Sequence, residues 1–169
     1  MKRIPCALLA LLLLASLLTG CASDLPRPEI KQGRFDLSVT YEQDGAVKVA
    51  SAVYVCEYDG IAWTLEGHPY VDWETHVEGD ITDEGTITVC TTEDGGEIVI
   101  ALLLYPEFFM GDPEYADHSP LVDLSIFYYE ENGTIRDSSD DAELIAGYGV
   151  RLIGCEYDPP IKNSFKPLK

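Results

Sequence analysis

The sequence predicts an all-β protein, an antiparallel β-sandwich, on three observations. Short runs alternate apolar and polar residues with period two, as in Phe35-Asp-Leu-Ser-Val-Thr-Tyr41. About nine such runs are spaced by Asp-Gly and Asn-Gly steps that suit tight hairpins. Beyond the first twenty residues there is little helical periodicity. An immunoglobulin-like arrangement is the leading expectation and a small β-barrel the second.

The chain opens with Met1-Lys2-Arg3, followed from Ala7 to Leu18 by an unbroken run of Ala, Leu and Ser. As a helix that run is roughly 18 Å long, short of the ~30 Å core of a bilayer, so it reads as a secretory signal rather than a span. It ends Leu18-Thr19-Gly20-Cys21. This tetrapeptide resembles the lipobox of bacterial lipoproteins. The resemblance implies cleavage after residue 20, diacylglycerol and palmitate-type acylation of Cys21, and a protein anchored at the extracytoplasmic face of a cell membrane. Each buried methylene contributes about 0.8 kcal/mol, enough for two or three chains to hold the protein there.

Residues 21–34 read as a lipidated start and flexible tether broken by Pro26 and Pro28, with a span of roughly 20 Å. The sandwich is expected over 35–161 and a basic tail over 162–169. Its strands are Phe35–Tyr41, Val47–Tyr58, Ile61–Leu65 after a turn at Asp59-Gly60, Tyr70–Glu78, Thr86–Thr92, Glu97–Tyr105, Leu121–Glu130, Thr134–Asp137 and Gly147–Tyr157. Ile98 to Leu104 is apolar throughout, which predicts a central strand buried on both faces. Asp137 to Ile145 is the best place for a helical turn, with Ser138 or Ser139 as its cap.

Removal of the signal takes Lys2 and Arg3 and moves the formal net charge from −19 to −21. Such a surface repels nucleic acid, which is excluded as a partner. Val49 to Ile135 contains no Lys or Arg and 19 acidic residues. The simpler account is a solvated acidic surface; the sharper one is a domain whose basic end faces anionic headgroups.

Cys56, Cys90 and Cys155 remain after Cys6 is removed and Cys21 acylated. Cys56 and Cys155 occupy a repeated Cys-Glu-Tyr-Asp, and a disulfide between them is possible if their strands are neighbours. The alternative is three buried thiols acting as small hydrophobes.

Three constellations carry chemistry. Asp72, Glu74, His76 and Glu78 share one face of a strand, where a metal could sit; the plainer account is the wet face of an amphipathic strand. Asp137, Asp140, Asp141 and Glu143 offer hard oxygens suited to calcium but lack EF-hand spacing, so a solvated loop is the plainer account. The long connection Tyr105–Pro120 carries Phe108, Phe109, Met110 and Tyr115, which either display a binding surface for a protein or glycan or fold inward as a cap.

No catalytic signature is present: there is no nucleophile elbow, HExxH or phosphate-binding Gly loop, and the three His form no recognisable triad. No cofactor is implied. The lipobox, the acidic β-rich body and the ending Pro159–Phe165 together make the chain similar to small uncharacterised lipoproteins of clostridia. The expectation is a membrane-anchored binding or interaction module. A structural or assembly accessory of a membrane or cell-wall complex is the alternative, and a carbohydrate-active enzyme the third.

Overall fold

The structure is a computed structural model, and it describes residues 27–115, 123–137 and 147–166. The expected signal segment, Cys21 and the expected helical turn after Asp137 lie outside those residues.

Two four-stranded antiparallel sheets pack face to face and do not close into a barrel. In the first sheet, β2 (Gln32–Gln43) and β3 (Ala46–Trp63) form a long hairpin in register from Gln32↔Glu57 to Gln43↔Ala46. Its turn is Asp44-Gly45, both at positive φ (52° and 78°), a conformation Gly adopts without a Cβ penalty and Asp tolerates. Strand β4 (Pro69–Gly79) adds to β3, and β9 (Val150–Tyr157) returns from far along the chain to add to β2. The spatial order β9-β2-β3-β4 is the Greek-key order. The second sheet is a meander of β5 (Thr86–Thr91), β6 (Glu97–Leu103), β7 (Asp123–Tyr129) and β8 (Ile135–Asp137). The layering is that of an immunoglobulin domain, but the chain changes sheet only between β4 and β5 and between β8 and β9.

Asp59-Gly60 is not a turn. Strand β3 runs straight through it as a bulge, with Gly60 at φ 126° and the ladder to β4 shifting register between Tyr58 and Gly60. One α-helical turn, α1 (Pro106–Phe109), lies inside the long connection, where Pro at the start supplies a ready helical φ.

Alternation sends β2 residues Phe35, Leu37, Val39 and Tyr41 inward and the residues between them outward. The inner faces make two adjoining cores. One joins the sheets through Val39, Ala50, Ala52, Ile87, Ile98, Ile100, Leu102 and Ile126. The other lies under the first sheet alone: Phe35, Leu37, Tyr54, Cys56, Val71 and Trp73 are closed over by Phe109 and Met110 of the α1 segment.

The domain begins earlier than the tether expectation allows. Gln32 to Arg34 already belong to β2, and Arg27–Pro28 (β1) pair antiparallel with Phe165–Lys166 (β10), so residues 27–34 and most of the basic tail are one clasp. The Asn163 side chain mimics a strand within it: its Oδ1 accepts the Ile30 N–H and its Nδ2 donates to the Ile30 carbonyl, both at 2.9 Å. Lys166 pairs with Glu29. The C-terminal segment also docks on α1: the Ile161 N–H donates to the Phe109 carbonyl at 3.0 Å. Gly111, at φ 66°, lies so close that a Cβ there would clash with the Ile161 carbonyl.

Candidate functional site

The strand proposed from sequence as a metal face is β4, and its alternation is as expected. Val71 and Trp73 point inward; Asp72, Glu74, His76 and Glu78 point outward. The carboxylate of Glu78 is already occupied by a cation, since Arg34 donates to both of its oxygens at 2.7 and 3.1 Å. That ion pair, with His76 Nε2 at 3.4 Å, holds the Glu78 carboxyl below its ordinary range. Arg34 and His76 lie opposite Val55 on its two neighbouring strands, and Val55 on this outer face is buried at 1 % exposure. The cluster shields an apolar side chain. Among the described residues no group of three His, Cys, Asp or Glu is placed to hold a metal ion. Of the calcium candidates, the backbone of Asp137 ends β8, and Asp140, Asp141 and Glu143 lie outside the described residues.

The aromatic connection is the cap, not a displayed surface. Phe109 is 1 % exposed and Met110 fully buried. The Phe109 ring lies 4.9 Å from Phe35, 5.3 Å from Tyr54, 5.4 Å from Phe108 and 5.9 Å from Tyr157. Side chains that fill a core cannot also present a binding surface. Tyr115, half-buried, sits in a 3₁₀ turn whose N–H bonds the Asp112 carbonyl. Beneath this cap, desolvation raises the Glu107 carboxyl, and the neighbouring Asp112 and Asp72 add to the effect.

The disulfide expectation is corrected. Cys56 sits on β3 opposite Gly33, and Cys155 on β9 opposite Val39, with β2 between them. Two strand spacings separate them laterally, roughly 10 Å, and six residues of β2 separate them lengthwise, roughly 20 Å. Bridged Cα atoms are usually within about 7 Å of each other. All three cysteines are free. Burial pushes the Cys56 thiol up to about 12, so it is a core side chain rather than a nucleophile.

At the end of the sandwich formed by the hairpin loops, Asp94 accepts hydrogen bonds from the Tyr128 hydroxyl at 2.6 Å and the Thr92 hydroxyl at 2.5 Å. These bonds hold the Asp94 carboxyl low, and the same pairing lifts the Tyr128 phenol to about 12. The contact locks the β5–β6 hairpin to β7.

The feature that the structure brings together, and sequence reasoning did not, is the outer face of the second sheet. Ile98, Ile100 and Leu102 point into the core, so Val99, Ala101 and Leu103 point out. Phe127 stands directly opposite Val99, Ile135 opposite Tyr129, and the Phe127 and Tyr129 rings are 6.3 Å apart. Leu103 is 48 % and Ile135 56 % exposed. Val99 is itself buried at 6 % exposure but belongs to neither core cluster. The run Ile98–Leu104 signals two apolar faces correctly; the outer one is buried at Val99, half-buried at Ala101 and exposed at Leu103.

The fold and this surface define an antiparallel β-sandwich with an apolar outer sheet face that is exposed at Leu103 and Ile135. No family model, no curated protein and no solved structure matches the chain.

Proposed function

We propose that this chain is a lipid-anchored, extracytoplasmic interaction module that docks a protein partner through the outer face of β6, β7 and β8. The observation that carries the reading is the apolar outer sheet face, with Leu103 and Ile135 exposed and Ala101, Phe127 and Tyr129 half-buried, on an otherwise strongly acidic protein. Large apolar side chains exposed on a sheet face mark candidate protein contact sites. Flat aliphatic residues beside two aromatics suit a protein better than a glycan, which prefers an aromatic platform with convergent polar groups.

The address rests on Leu18-Thr19-Gly20-Cys21. The described domain starts only six residues after Cys21, a leash of at most about 20 Å. A partner in or on the same membrane is therefore within reach. This favours, as a second reading, an accessory subunit of a membrane or cell-wall complex.

The test is crosslinking from the native membrane with wild type, Leu103→Asp/Ile135→Asp and Cys21→Ala. The double variant is expected to fold, since both side chains are half-exposed, and to lose its crosslinked partner. The Cys21 variant is expected to leave the membrane fraction. An unchanged crosslink pattern in the double variant overturns the docking face, and a membrane-bound Cys21→Ala overturns the anchor.

A further inference from the structure

The two ends of the sandwich differ in charge. Strand β2 spans them over 12 residues, roughly 35 Å. At the end of the Asp44-Gly45 turn, Asp44, Glu93, Asp94, Glu130 and Glu131 line two clefts that share Asp94 and Tyr148. The end where β2 begins carries the terminal clasp, and its ladder gathers cations. Arg27 stands opposite Lys166 and Pro28 opposite Phe165. The Glu29 N–H donates to the Ser164 carbonyl at 2.8 Å, and the Ile30–Asn163 bonds extend the register, which brings Lys31 level with Lys162. Pro28 is buried and Phe165 packs on the core beneath α1. Period two therefore turns Arg27, Glu29 and Lys31, with Lys162, Ser164 and Lys166 across from them, to one exposed face. Like charges directly opposite each other destabilise a ladder. Here two such pairs surround a single carboxylate, Glu29, which Lys166 holds. The excess of cations on this face calls for an anion.

An apolar tip projects from the same end. Beyond the Lys31 carbonyl, which takes the Tyr58 N–H, β3 runs on without β2 to Trp63, and β4 returns from Pro69. The overhang is roughly 15 Å. Trp63 and Tyr70 are 55 % and 42 % exposed, and Leu65, in the turn between the strands, is fully exposed. Within that turn Glu66 has His68 Nε2 at 4.0 Å. Asp59 and Asp72 sit back at the bulge, roughly 10 Å from the tip. Trp and Tyr rings combine an apolar body with a polar handle and favour the water–lipid boundary.

We propose that this end of the domain seats on an anionic phospholipid leaflet, with the β3–β4 tip in the headgroup boundary and the clasp against lipid phosphates. The inference rests on the anchor reading of Cys21: the leash joins the domain at Arg27, inside the clasp, so the leaflet is the surface this end meets. Four cations against one carboxylate match anionic headgroups. The acidic end stands farther off than the Debye length of about 8 Å at physiological salt, so its repulsion is screened. In this pose the strands stand upright, and the outer face of β6, β7 and β8 looks along the membrane toward a neighbouring protein.

The experiment takes the intact protein, purified from its membrane, into phosphatidylcholine vesicles, plain or with about 30 % phosphatidylglycerol, whose acyl chains carry bromine to quench nearby Trp. Flotation with the vesicles is measured alongside. On the anionic vesicles Trp emission is expected to fall by at least a third. Trp63→Phe is expected to remove the quenched component, because Trp73 is buried in the core. Leu65→Asp, at a fully exposed position, and Lys31→Gln/Lys162→Gln are each expected to float as wild type does and to lose at least half of the quenching. Wild type on plain vesicles is expected to show the same loss. Wild type that floats without quenching overturns the proposal and leaves the anchor standing; wild type that does not float overturns both. Equal quenching on plain vesicles and in the Lys variant overturns the part assigned to the clasp. A dimeric mass in detergent, with Trp63 shielded from acrylamide, overturns the proposal in favour of a second copy at this end.

Discussion

Replacing Phe109 with Ala tests whether the long connection closes a core. Phe109 is 1 % exposed and its ring meets Phe35, Tyr54, Phe108 and Tyr157 within 6 Å. Truncation removes the buried ring and leaves a cavity that rigid neighbours on β2 and β3 cannot collapse into, a change that costs about 3–5 kcal/mol. Against a total stability of roughly 5–15 kcal/mol this is a large fraction. With a urea m-value of about 2 kcal/mol/M, the midpoint falls by about 2 M. Trp73, buried at 7 % exposure in the same core, reports the transition by fluorescence, while Trp63, at 55 %, contributes a nearly constant signal. A loss below about 1 kcal/mol with an unchanged m-value refutes the core assignment, because only a side chain already in water is removed that cheaply.

Asn163→Ala takes three hydrogen bonds from the terminal clasp, two with Ile30 and one from the Ser164 N–H, and costs about 1 kcal/mol or more; amide exchange should quicken at residues 27–31 and 161–166 and stay unchanged in β6. Thiol labelling of the native protein at pH 8 should modify Cys56 slowest of the three described cysteines, and mass spectrometry should find no Cys56–Cys155 bridge. The raised Tyr128 phenol gives the folded protein a proton that an unfolded tyrosine loses near pH 10. Its contribution is intact below about 10 and disappears as pH rises to about 12; burial also raises Tyr54 and Tyr157, so ultraviolet titration should show several late phenols, of which Asp94→Asn brings one earlier.

Local pattern was enough for the strands. Period-two alternation in Phe35–Tyr41 and the Asp44-Gly45 turn are decided by neighbours in sequence, and the structure keeps both. The misread places are those decided by distant residues. Asp59-Gly60 has the composition of a turn, yet β4 pairs on both sides of it and turns it into a bulge. The aromatic connection reads equally well as cap or display, because what buries Phe109 is Phe35, 74 positions earlier. The repeated Cys-Glu-Tyr-Asp looks alike in both copies and says nothing about which strands adjoin. Nor does any short-range signal join Asn163 to Ile30. The outer face of the second sheet was half legible: Ile98–Leu104 announces apolarity on both sides, but no alternation can tell that the second side is buried at Val99 and exposed at Leu103.

The return of β9 to the flank of β2 sets an order on the birth of the fold. Tyr157 meets Leu37 across 120 positions, and the whole second sheet is made between them. A chain delivered amino end first can finish the β2–β3–β4 meander early, but one flank of β2 then stays bare until the last strand arrives. Contacts so far apart form slowly, and during the wait that bare flank is the place where an unfinished molecule adheres to another.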